Sequence, residues 1–145
     1  MTGASTRRNW QVFAAPDDGE PLVEGPHPWI DDRWVYLPLE HWELLQERAR
    51  RENPELAHRL ALASGAVDPA ADDAIELPPA ELEVLVAFVE TLADRVESEP
   101  DLTDEPTDEI PDAYPSDEHA RMLRSVGVVL REALRTGRPA RSWKE

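Results

Sequence analysis

The chain has 145 residues, about one domain's length, and a net charge of −16 from 31 acidic and 15 basic side chains. It contains no cysteine, which excludes a disulfide scaffold, a thiol nucleophile and any Cys-based zinc or iron–sulfur site. Leu, Ile, Val and Phe make up about 22% of it. That is just above the ~20% below which highly charged chains stay disordered, so a modest core should form. No apolar run approaches the ~18 residues of a membrane span, and the N-terminus lacks the apolar stretch of a signal peptide. A cytoplasmic protein away from the membrane is the expectation.

Residues 1–9 carry no apolar pattern and read as a flexible tail ahead of a single domain, 10–145. Trp10-Gln11-Val12-Phe13-Ala14 and Arg33-Trp34-Val35-Tyr36-Leu37 are aromatic and β-branched runs, as strands prefer. Pro16, Gly19, Pro21, Gly25, Pro26 and Pro28 punctuate a connection too long for a tight hairpin. A minor two-stranded element near the N-terminus is predicted.

Four helices follow. The first, 39–52, sets Leu39, Trp42, Leu45 and Ala49 on one face. The second starts with Asn53 as N-cap and Pro54 at the first helical position and stops at Gly65. In the third, 79–98, Leu82, Leu85, Val89, Leu92 and Val96 alternate steps of three and four, the spacing of a packed seam. The fourth opens at Ser116, with Asp117 and Glu118 suiting the helix dipole, and closes at Gly137. Its apolar face is Met122, Leu123, Val126, Val129, Leu130, Ala133 and Leu134. Mid-helix Gly127 costs ~1 kcal/mol against Ala, which points to a kink or a close helix crossing. The predicted fold class is mainly α, a small four-helix bundle-like domain with the minor β element. Between the last two helices, residues 100–115 hold four prolines and six carboxylates, a connection long enough to be functional or disordered.

The charge is unevenly spread. Residues 68–118 contain 18 acidic residues and one basic residue, Arg95, while the rest of the chain nets +1. The third helix carries an acidic stripe, Glu83, Glu90, Asp94 and Glu97. The fourth carries an arginine stripe, Arg121, Arg124, Arg131, Arg135 and Arg138, nearly opposite its apolar face. Like charges at i,i+3 and i,i+4 destabilise an isolated helix slightly, so neither stripe supports its own helix.

Little catalytic apparatus is present. There is no glycine-rich phosphate loop, no nucleophile elbow, and only one lysine, Lys144. Glu55 and His58 form an E-x-x-H, which carboxylate-bridged metal bundles use twice and this chain has once. His27 sits in a proline-rich turn, and His41 and His119 have no partners at ligand spacing. The expectation is therefore no enzyme, no metal and no cofactor. Acidic residues around the aromatics of 10–42 argue against nucleic acid.

What remains is binding. The leading expectation is a non-enzymatic acidic protein that neutralises or regulates a basic protein partner. Small immunity proteins and antitoxins inhibit by this physics, an analogy of charge and size only. The contact is predicted on Glu83, Glu90, Asp94, Glu97, Asp104, Glu105, Asp108 and Glu109. A second candidate interface comprises Trp29, Trp34, Tyr36 and the arginine stripe. The alternatives are a scaffold subunit that forms a homo-oligomer through its complementary stripes, and a small helical metal or carboxylate enzyme.

Overall fold

The structure, a computed structural model, describes residues 10–15, 20–63, 75–77, 79–99, 114–137 and 140–144. In chain order the elements are β1 (Trp10–Ala14), β2 (Ile30–Asp31), β3 (Trp34–Pro38), α1 (Leu39–Glu52), α2 (Pro54–Ala63), β4 (Ile75–Leu77), α3 (Pro79–Glu97), α4 (Ser116–Thr136) and β5 (Ala140–Lys144). The chain is mainly helical, and no helix among the described residues is long and apolar enough to cross a membrane. The expected tail 1–9, and 100–113 of the proline-rich loop, lie outside the described residues.

The two predicted strands pair antiparallel, with Val12 opposite Tyr36 and Ala14 opposite Trp34. They do not stand alone, however. The sheet has five antiparallel strands in the order β2-β3-β1-β5-β4, which corrects the two-stranded expectation. β2 and β3 join through a tight turn at Asp32 and Arg33, with Asp32 at φ 56°, a left-handed conformation that Asp tolerates. β5 returns from the C-terminal end to pair with β1, setting Phe13 opposite Ser142. β1 is thus internal, and its residues from Gln11 to Ala14 are all buried. Internal strands must satisfy buried polar groups. The amide nitrogen of Gln11 does so by donating from Nε2 to Ser142 Oγ at 2.8 Å.

The helices pack two by two rather than as one bundle, α3 against α4 along their lengths and α1 against α2. The α3 seam is buried as predicted, with Leu82, Leu85, Val89 and Leu92 fully enclosed. So are Met122, Leu123, Val126, Val129, Leu130 and Ala133 of α4. α1 lays Trp42 on β1, where its ring meets Phe13 edge-on at 5.2 Å. The α2 start follows its grammar: Asn53 Oδ1 accepts from the Leu56 amide at 3.1 Å. Gly137 closes α4 at φ 71°, the left-handed cap that glycine adopts freely. The other end of α4 differs in detail. Ser116 is already helical and Pro115 is the cap, its carbonyl accepting from the Glu118 and His119 amides.

Candidate functional site

The charged stripes were expected to face away from the core, and their side chains are largely exposed. At the surface, those of α3 and α4 also reach each other across the seam of an antiparallel helix pair. Arg124 donates from Nη1 and Nη2 to both carboxylate oxygens of Glu97, at 3.0 and 3.1 Å, and from Nη2 to Asp94 at 2.9 Å. Arg131 grips both oxygens of Glu90, its Nε at 2.6 Å. Arginine's long stem lets a head group rooted near the outer face reach back along the seam. These contacts push the Arg124 and Arg131 guanidiniums above their ordinary range and hold Glu97 below its own, through hydrogen bonds first and charge second. The remaining described arginines of the stripe pair within α4, Arg121 with Glu118 at 3.8 Å and Arg135 with Glu132 at 2.8 Å. The stripe therefore braces its own chain rather than presenting bare cations. Arg138 lies outside the described residues.

Of the predicted acidic contact residues, Glu90, Asp94 and Glu97 are held by α4, whereas Glu83 is exposed and makes no ion pair among the described residues. Asp104, Glu105, Asp108 and Glu109 lie outside the described residues. The two ends of their segment are firmly tied. Before it, Glu99 pairs with Arg48 of α1, a buried guanidinium that Glu52 also holds at 3.0 Å. Burial works against that charge, but the hydrogen bonds Arg48 donates to Glu99 and Glu52 outweigh it and raise the guanidinium above its ordinary value. After it, Glu118 accepts from Trp29 Nε1 at 2.8 Å, and the Tyr114 ring packs edge-on against Trp29 at 5.5 Å.

The aromatics predicted as an interface divide. Trp29 is buried by this cluster, which removes it from the surface. Trp34 is 39% exposed and lies beside the half-buried Tyr36, with Trp10 on Tyr36's other side.

The sequence reading missed the contact between His41, in the first turn of α1, and His119, in the first turn of α4. Both rings are fully buried, with His41 Nδ1 and His119 Nε2 3.0 Å apart. One ring donates its N–H and the other accepts, so the contact needs at least one unprotonated nitrogen at its centre. Tyr114 closes over the pair, 4.7 Å from the His41 ring. One signal was available: His119 precedes Met122 and Leu123 by three and four residues and so lies on the apolar face. Neither ring reaches solvent, which fits a packing role better than substrate contact.

His27 works as a turn cap. Its Nδ1 accepts from the amides of Trp29 at 3.1 Å and Ile30 at 3.2 Å. Burial, then Arg121, hold it below its usual value, with Glu118 opposing. His58 and Glu55 are exposed, and Glu55 lies 3.5 Å from Arg59. Among the described residues no group of three or more His, Asp or Glu is arranged to hold a metal ion. No protein-family model, curated protein or solved structure matches the chain.

Proposed function

We propose that the chain is a non-enzymatic acidic binding protein that captures and neutralises a basic protein partner, with the segment between α3 and α4 at the centre of the contact. One observation carries this reading. Between Arg95 and Arg121 the sequence has ten carboxylates and no arginine or lysine. Glu97, Glu99 and Glu118, at the edges of that run, are occupied by the chain's own Arg124, Arg48 and Arg121. The seven carboxylates from Asp101 to Asp117 have no cation within their own stretch of chain. A concentration of one sign of charge steers an oppositely charged partner to fast encounter and weakens with salt. Four prolines in residues 100–115 also restrict the backbone, which lowers the entropic cost of binding a partner.

The intrachain pairing shifts weight within the predicted contact. Glu90, Asp94 and Glu97 would have to exchange their arginines to bind, so Glu83, Asp104, Glu105, Asp108 and Glu109 carry the proposal. The same pairing counts against self-assembly, because the stripes invoked for it already satisfy each other within one chain.

The test is affinity capture from the native lysate at low salt. Wild-type chain is compared with a variant in which Asp104, Glu105, Asp108 and Glu109 become Asn or Gln. The expected result is a basic protein retained by wild type, released by a salt step and lost from the variant. Retention of the same protein by both would overturn the assignment.

A further inference from the structure

The α3 helix has a second apolar stripe beside its packed seam. Val84, Ala87, Phe88 and Thr91 follow at i, i+3, i+4 and i+7, so they share one face. That face does not belong to the α4 seam of Leu85, Val89 and Leu92. With Leu56 of α2 it lines an open groove of about 570 Å³. Phe88 is nearly buried in the floor, but Val84 is 41% exposed, one of two large apolar side chains among the described residues left so open. Glu83 lines the groove too and makes no ion pair among the described residues, whereas Glu90 and Asp94 on the adjoining strip of the helix surface are already held by Arg131 and Arg124. Glu52, at the α2 side, is already held by Arg48 and Arg95.

We propose that this groove seats an amphipathic, basic helix of the partner protein. The inference rests on the proposed capture of a basic partner and places an apolar anchor beside the acidic contact. Two observations select that occupant. A shallow apolar trough between two helices fits the apolar face of a third helix, read as anchors at i, i+3, i+4 and i+7. Glu83 on one side then meets a cation on the flank of the incoming helix. A second copy of this chain is a poor occupant, since each copy has a net charge of −16 and would bring like charge to a carboxylate-lined groove. Charge supplies encounter, and burial of Val84 supplies the discrimination that charge lacks.

The experiment titrates the full chain, 15N-labelled, with a synthetic Leu/Arg peptide patterned as an amphipathic helix, and separately with the same residues in scrambled order. The patterned peptide should shift the amides of Leu56, Val84 and Phe88. Val84→Glu and Ala87→Glu, both at exposed positions, should weaken its binding by about tenfold or more, since one apolar anchor is replaced by a charge. Unchanged spectra away from the groove would show that each variant folds. Equal binding of the two peptides, or affinity untouched by both variants, overturns the groove and leaves capture by charge standing. Failure of both peptides to bind at low salt overturns both readings. Self-association of the free chain that Val84→Glu abolishes would make a second copy the occupant, and would equally overturn the proposal.

Discussion

Arg131 holds Glu90 through both Nε and Nη2, joining positions 41 apart in sequence across the seam between α4 and α3. One turn of α4 earlier, Gly127 brings the helices close: a Cβ placed there would lie 3.7 Å from Glu90 Cγ and 3.9 Å from Val89 Cγ1. The expected crossing is real, and the carboxylate that the arginine grips lies directly over the glycine.

Both side chains of this pair are well exposed, so its effect on stability should be smaller than that of any core truncation. Arg131→Glu should lower the melting temperature by setting two carboxylates together. The double variant Arg131→Glu with Glu90→Arg should recover most of the loss. Melts in low and high salt check this, with the gap between wild type and the single variant narrowing as salt rises.

Gly127→Ala places its methyl at ordinary contact distance while removing the entropic cost of glycine inside a helix. We expect a gain of about 0.5–1 kcal/mol by chemical denaturation. Gly127→Leu has to displace Val89 and Glu90, and it should destabilise. By contrast Leu85→Ala or Leu123→Ala, at fully buried seam positions, should cost about 2–5 kcal/mol.

Single replacement of His41 or His119 by Leu leaves the other ring buried without its N···N contact, at a cost of about 1–3 kcal/mol. Replacing both removes that penalty, so the double variant should lose less than the two singles added together. A double-mutant cycle measured by denaturation gives the coupling directly. Strict additivity would mean that the two rings touch without supporting each other.

Two groups set expected pH dependences of stability. The Arg135 fork holds the Glu132 carboxyl at about 2, with burial opposing and Arg33 adding to the lowering. A carboxylate depressed on folding contributes fully above its unfolded value of 4.5 and loses that contribution as the pH falls toward 2. The stability gap between wild type and Glu132→Gln should therefore be widest above pH 4.5 and should close toward pH 2. His27 is also lowered on folding, and protonation would place a hydrogen on the Nδ1 that faces two amide donors. Its gap against His27→Ala should be full above pH 6.5 and narrow below it.

The helices were legible because their signals are local. The Asn53-Pro54 start, the three-and-four spacing of Leu82 to Val96 and the Gly137 stop each act within a few turns of chain. β1 and β3 were legible for the same reason. β5 was not. Ala140–Lys144 has no apolar alternation of its own and becomes a strand by pairing with distant segments, β4 on one side and, on the other, β1, residues 11 to 14, at the opposite end of the sequence. β4, at three residues, is too short to show a period. In the candidate site, the composition of both charged stripes was legible, but their relation was not. Helical angles place Arg124 and Arg131 far from the apolar face, and only the length of the arginine stem brings them back to Glu97 and Glu90. The pairing of His41 with His119 is equally non-local, spanning 78 residues.

The proposed function places the capture of a basic protein on the carboxylates between α3 and α4, a stretch of sequence without arginine or lysine. Its most direct measurement is the salt dependence of Kd for the captured partner, with wild type and with the variant in which Asp104, Glu105, Asp108 and Glu109 are neutralised. Affinity should fall steeply as salt rises for wild type, and should be weaker and less salt-sensitive in the variant. A wild-type affinity indifferent to salt, or the same salt dependence in both, would contradict it.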